Sequence, residues 1–479
     1  MPVWKFIMNL ETDNKIQKKG ITLVIPNPCG NIKETKMKNS GIEWIGEIPD
    51  GWEVKKVKHS FVRKNEKAMQ ENPIVLSLAR TGVRERDISN NEGQLAESYY
   101  NYNPVDVDDL LINPMDLYSG ANCSISKVKG VISPAYINLR AKKNVSPVFY
   151  DYYFKVQYWM MAFFAHGNGV SFENRWTLNN ETLQNYPIVA PSFDTQQRIA
   201  SYLDKKCSKI EETIQNQQQV IEKLKAYKQS LITEAVTGKK YHENCHTDSI
   251  LLTQNPNEDM KTEIPLGISN PCGNIEFKYC NLGFIADFKN GLNYNASDFG
   301  TEVKFLGVGD FQNYLVLNDE SMFSNIITDT EIEDDYYLKN GDIIFVRSNG
   351  SKELVGRAIM VDNIDFKVTY SGFCIRLRNK EPKKINSKFL LYFFRSDYFR
   401  NELQRLSQGS NISNINQDLL SHIKIPLVDI RFQESVVDFL NKKCTAIDTA
   451  IEQKQKLIEK LTEYKKSLIY ECVTGKKEI

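Results

Sequence analysis

From Ile210 to Leu231 the chain alternates intervals of four and three residues between its inward-facing positions, through Ile210, Ile214, Gln217, Ile221, Leu224, Lys228 and Leu231. That spacing is the a/d seam of a coiled coil and predicts a long helix whose apolar stripe packs against another helix. The same intervals return at Ile447, Ile451, Lys454, Ile458, Leu461, Lys465 and Leu468. Gln217 and Lys454 interrupt the two seams near the middle, where a polar side chain fixes register at some cost in stability. Gly238 and Gly475, each followed by lysines, are the predicted helix stops.

The two helices are copies of one another. Residues 196–240 and 433–477 align without a gap, with roughly half the positions identical; Cys444 minus Cys207 and Gly475 minus Gly238 both give 237. A period this long exceeds that of a solenoid repeat, so each copy closes one half-molecule. The seams are expected to pair antiparallel within the chain, from Ile199 to Ala235 and from Val436 to Cys472. At 1.5 Å per residue, about 37 residues make a helix about 55 Å long.

Outside the helices the periodicity changes. Short strand-like runs (Ile74–Leu78, Asp109–Ile112, Val303–Val308, Asp342–Val346, Phe373–Leu377) are separated by Gly, Asn and Pro. The fold class expected is α+β: two α/β regions separated by two long antiparallel coiled-coil helices, with a pseudo-twofold internal duplication. The boundaries read as an N-terminal extension, 1–36, without clear periodicity; a first globular region, 37–192; a first helix, 193–240; a linker, 241–275; a second globular region, 276–429; and a second helix, 430–479. The hexapeptide NPCGNI precedes each globular region, at 27–32 and 270–275. The aromatic stretch Val148–Ala165 reads as one buried amphipathic helix, with Phe149, Tyr152, Tyr153 and Phe154 matching Phe389, Tyr392, Phe393 and Phe394 as core.

Composition narrows the function classes. With 479 residues, 41% hydrophobic and 25% charged, the chain can bury sizeable cores. Lys+Arg and Asp+Glu stand at 61 against 60, so any basic surface is local. Nine cysteines without CxxC pairing fit a cytoplasmic protein, and no run reaches the roughly 18 apolar residues that span a bilayer. No GxxxxGK[ST] loop is present. Asn113-Pro114-Met115-Asp116 only begins like an amino-methyltransferase motif, and the spacing of His242, Cys245, His246 and Cys272 matches no zinc site. The five histidines are not duplicated between the halves, which excludes a repeated His-based catalytic site.

The polar loops carry the binding chemistry. Arg347, Ser348, Asn349 and Ser351 follow the strand-like run GDIIFV, and Arg and Asn are the side chains that read guanine and adenine edges. In the first half Arg80, Thr81, Arg84 and Arg86 form a basic cluster after PIVLSL. Lys352, Arg357, Lys64 and Lys67 are candidate phosphate-positioning groups. The loops 166–171, with Asn168, and 406–411, with Ser410 and Asn411, are matched between the halves.

Met37–Trp52, MKNSGIEWIGEIPDGW, resembles the opening signature of specificity subunits of type I restriction-modification systems. SLITEAVTGK and SLIYECVTGK resemble the close of that family's two helical regions, and Val303–Asp310 and Gly341–Ile344 resemble segments of its target recognition domains. The resemblance runs from Met37 to the C terminus. It implies a non-catalytic subunit whose two target recognition domains each bind half of an interrupted site in double-stranded DNA, with the helix pair measuring the gap. The implied partners are two modification subunits using S-adenosylmethionine and restriction subunits using ATP and Mg²⁺, with no cofactor in this chain. The alternative is a coiled-coil scaffold or antirestriction decoy that keeps partner binding but holds DNA weakly.

Overall fold

A computed structural model describes residues 36–79, 81–88, 96–115, 117–118, 122–169, 176–238, 277–293, 300–311, 314–329, 331–348, 354–407 and 414–479. The N-terminal extension up to residue 35, the linker 241–275, both NPCGNI copies and the His242–His246 segment lie outside these residues. The chain divides into two compact units, Met1–Cys207 with Lys465–Ile479, and Ser208–Tyr464.

The first unit runs β1 (Met37–Asn39), β2 (Glu47–Pro49), β3 (Glu53–Lys56), α1 (Val57–Ser60), β4 (Phe61–Lys64), β5 (Leu76–Ala79), β6 (Gly82–Glu85), β7 (Asn103–Val105), β8 (Leu110–Ile112), β9 (Cys123–Ile125), β10 (Gly130–Ile132), β11 (Ile137–Ala141), α2 (Pro147–Trp159), α3 (Ala162–Ala165), α4 (Asn180–Asn185), β12 (Pro187–Ala190) and the start of α5 (Phe193–Thr237). Its main sheet is antiparallel in the order β4-β11-β8-β9. Leu110, Leu111 and Ile112 are fully buried, which is why this strand reads as a continuous apolar run and not an alternating one.

The second unit holds most of α5, then β13 (Lys278–Asn281), β14 (Ala286–Asn290), β15 (Thr301–Leu306), β16 (Val316–Leu317), β17 (Ser324–Thr328), β18 (Ile343–Val346), β19 (Ala358–Val361), β20 (Val368–Tyr370), β21 (Cys374–Asn379), α6 (Ser387–Phe394), α7 (Asp397–Leu406), α8 (Gln417–Ser421), β22 (Lys424–Leu427) and α9 (Ile430–Val473). Its main sheet runs β14-β21-β18-β19-β16, the order of the first unit with one strand added. The α+β class with two long helices is therefore the observed architecture, and the duplication extends to the sheets.

Buried polar contacts repeat between the units. Asp109, just before β8, accepts from the Asp106 backbone N–H at 2.8 Å and from Arg140 Nε at 2.9 Å. Asp342, just before β18, accepts from the Lys339 N–H at 2.8 Å and from Arg378 Nε at 2.8 Å. Gln196 accepts from the Ser146 N–H and donates to the Pro191 carbonyl; Gln433 does the same with Asn386 and Val428. Tyr152 donates to Asp204 as Tyr392 does to Asn441. The Gln196, Gln433, Tyr152 and Tyr392 contacts tie the start of a long helix to the globular part it leaves.

The seam residues are interior to the helix pair. Ile221, Leu224, Leu231, Ile447 and Leu468 are buried, while Ile210, Ile214, Gln217, Ile451, Lys454, Ile458 and Leu461 are half-buried, as two unaccompanied helices require. Within the second unit Lys454 donates to Gln217 at 3.1 Å, and Lys228 donates to both oxygens of Asp448 at 2.7 and 2.6 Å. Advancing along α5 means retreating along α9, so the strands of this coil run antiparallel. Gly238 and Gly475 follow the helix ends at φ +71° and +76°, a conformation open to glycine. A Cβ at Gly238 would lie 2.3 Å from the Phe277 ring, and one at Gly475 2.3 Å from Pro49.

One expectation is corrected. Val148–Ala165 is not one helix: α2 ends at Trp159, Met161 turns left-handed at φ 56°, and α3 follows. The aromatic residues still form core, with Phe149, Tyr153, Phe154 and Phe163 fully buried.

Candidate nucleic-acid interface

In both units the central strand emerges from a buried ion pair and ends at a loop held by a second loop. After β8, the Leu178 N–H donates to the Pro114 carbonyl at 2.8 Å. After β18, the Ile415 N–H donates to the Arg347 carbonyl at 2.9 Å, and Ser348 bridges Asn414. Asn168 bridges Thr177 in the first unit, which brings the 166–169 segment to the same edge. Pro114 is therefore the structural counterpart of Arg347.

The first-half basic cluster lies elsewhere. Thr81 and Arg84 are exposed on the β5–β6 hairpin, where Arg84 pairs with Ser77, and the Arg86 N–H donates to the Val75 carbonyl at 2.8 Å. That hairpin is not the counterpart of Arg347, because similar charge in a loop does not specify position in a sheet. Arg80, Asn349, Ser351, Lys352, Ser410 and Asn411 lie outside the described residues.

Two of the phosphate candidates are committed elsewhere. Lys64 donates to Asp106 at 3.0 Å and to Asp109 at 2.9 Å and is nearly buried, so its charge is neutralised inside the sheet. Arg357 is half-buried, and burial lowers its pKa. Lys67 reaches Asn103 at 3.3 Å.

The electrostatics of the strand base are set by the same ion pairs. Hydrogen bonding from Arg140 and then Lys64 holds the Asp106 carboxyl at about 2, and hydrogen bonding to Asp342 raises the Arg378 guanidinium. Around β18 the strand base is thus closed by paired charges, while its far end carries Arg347, Ser348 and Asn414. The Gly307–Asp310 motif is itself a turn: Asp310 accepts from the Gly307 N–H at 2.7 Å and from Ser324 at 2.6 Å.

Sequence reasoning missed the surroundings of Arg347. The Arg347 N–H donates to the Phe373 carbonyl at 2.8 Å, and Phe373 is 55% exposed. Near Pro114, Tyr118 is 59% exposed, its ring 6.1 Å from Phe164, which in turn lies 5.7 Å from Trp176. An aromatic beside a polar strand-end loop was the available signal. Among the described residues no group of side chains could hold a metal ion, and no helix is long and apolar enough to cross a membrane.

Residues 274–463 match the family model of the type I restriction modification DNA specificity domain. The chain is 26% identical over 347 residues to the StySPI specificity subunit of Salmonella potsdam, covering 70% of this chain and 67% of that protein. It is 25% identical over 389 residues to the MjaVIII specificity subunit of Methanocaldococcus jannaschii, covering 77% and 80%. A chain solved in work on complex assembly and conformational transition of the type I R-M system shares the fold, with a TM-score of 0.64 at 15% identity over 90% of this chain and 99% of that one. With the opening signature and the duplicated helices, these matches show that the chain is similar, over most of its length, to the specificity subunits of type I restriction-modification systems.

Proposed function

We propose that this chain is the DNA-reading, non-catalytic subunit of its system, each unit engaging one half of an interrupted site in double-stranded DNA. The observation that carries the reading is the repeated strand end, where Pro114 is held by Leu178 and Arg347 by Ile415. Two equivalent loop pairs on equivalent sheets suit a target with two parts. Phosphate contacts supply affinity without sequence information, and base-edge contacts by Arg, Asn and Ser supply the choice. The helix pair sets the gap between the half-sites.

The partners follow from the same reading: two modification subunits, which bring S-adenosylmethionine, and restriction subunits, which bring ATP and Mg²⁺. This chain brings no cofactor and works in the cytoplasm. The test is reconstitution of the chain with modification subunits, followed by mapping of methylated adenines on genomic DNA. A single bipartite motif, methylated only when this chain is present, is the expected result. Methylation by the chain alone, or no sequence preference in the assembled complex, would sink the reading.

A further inference from the structure

Phe373 presents a large apolar surface, 55% exposed, beside the strand end that carries Arg347. It lies in the tight turn between β20 and β21, closed by the Cys374 N–H donating to the Ser371 carbonyl at 2.8 Å. Ser371 Oγ accepts from the Phe373 N–H at 3.2 Å, the Gly372 N–H donates to the Leu292 carbonyl at 2.9 Å, and the Phe373 carbonyl accepts from Arg347. These bonds fix the backbone of the turn, so the Cα of Phe373 is held in place before any ligand arrives. Gly372 runs close beside Asn293, where a Cβ would stand 2.3 Å from Asn293 Oδ1. The turn that carries the ring is thus bonded to Arg347, whose neighbour Ser348 bridges Asn414, and it runs beside Asn293; Asn293 and Asn414 are exposed.

Protein-docking surfaces are built from contiguous apolar area with several anchors. Among the described residues, the other exposed large hydrophobic residues of this unit, Tyr279, Phe284, Tyr314, Ile327, Leu457 and Tyr464, belong to none of these segments. A single exposed ring on a turn bonded to a polar loop instead matches a major-groove base edge. There the apolar element is the C5 methyl of thymine, set among hydrogen-bond donors and acceptors. We propose that Phe373 is a specificity-determining residue that reads a thymine methyl in the half-site engaged by the second unit. This rests on the proposed DNA-reading function. Tyr118, exposed beside the equivalent strand end, is placed to act in the same way for the first unit.

The test uses the chain assembled with its modification subunits and duplexes of the mapped site in which each thymine of that half-site is replaced by uracil. Burial of one methyl group predicts a loss of about fourfold in affinity at one position for the wild type. Phe373→Ala should bind thymine and uracil equally at that position and leave the other positions unchanged; Phe373→Ser gives the same readout should the alanine variant fold poorly. If the wild type prefers cognate over scrambled DNA but both variants keep the thymine preference, or no position responds to uracil, the assignment of Phe373 is overturned while DNA reading stands. If the wild type shows no cognate preference, the DNA-reading function itself fails, and the inference with it.

Discussion

Lys454 donates a 3.1 Å hydrogen bond to Gln217, its own counterpart in the internal repeat. A residue meets its repeat-equivalent only where a twofold axis passes between the copies, so this contact marks the pseudosymmetry point of the helix pair. The sequence breaks the symmetry at that point: two lysines would repel, whereas lysine and glutamine satisfy one another.

Replacing both residues by isoleucine should therefore raise stability by about 1 kcal/mol, since a polar pair in a seam fixes register at an energetic cost. Gln217→Lys should lower it, by placing like charges across the axis. Urea denaturation of the whole chain checks both; a less stable double isoleucine variant would show that the pair contributes net stability.

The buried ion pairs predict an asymmetry between the units. The Asp342 side chain is 2% exposed, and its only ion-pair partner among the described residues is Arg378, so Arg378→Met should cost about 3 kcal/mol by stranding a buried carboxylate. Asp109 retains Lys64 at 2.9 Å when Arg140 is replaced, so Arg140→Met should cost clearly less. Comparing urea midpoints of the two variants decides it, and equal losses would count against the stranded-charge argument.

Asp106 gives the acid response a defined window. Its folded value of about 2 lies below the ordinary 3.8, so it contributes stability above about pH 4 that is lost as the pH falls towards 2. Asp106→Asn should be less stable than wild type at neutral pH and converge on it near pH 2. The side chain is 43% exposed, so solvent screening keeps the gap small. A gap that persists unchanged at pH 2 would point to lost packing and not to charge.

The helices were legible because a seam of alternating fours and threes is written directly in the sequence, and the gapless repeat gave their equivalence. The matching sheets were not. Asp109 pairs with Arg140 as Asp342 does with Arg378, yet loop insertions make the offset between counterparts drift, so no single alignment finds them. The opening signature had no counterpart in the second half for a physical reason. Ile42, Ile45 and Ile48 are buried there, Gly475 closes on Pro49 and Trp52, and Tyr470 reaches the Trp44 carbonyl, so that segment seats the end of α9.

That seating constrains how the spacer can be altered. The end of α5 closes on Phe277, through Gly238, as the end of α9 closes on Pro49 and Trp52. Removing seven residues from one helix alone would leave the other at full length, and one of these seats would be lost. Removing Gln217–Lys223 together with Lys454–Lys460 keeps both. Because seven residues are two turns, the seam stays in phase, with Ile214 followed by Leu224 at the interval of three. The paired deletion also removes the Gln217–Lys454 contact and leaves an apolar junction. It shortens the helix pair by about 10 Å at 1.5 Å per residue, or about three base pairs at 3.4 Å each. Mapping methylated sites in cells carrying the variant should then show both half-site sequences unchanged and the gap between them about three base pairs shorter. A folded, active variant with an unaltered gap would mean that the helices do not set the spacing.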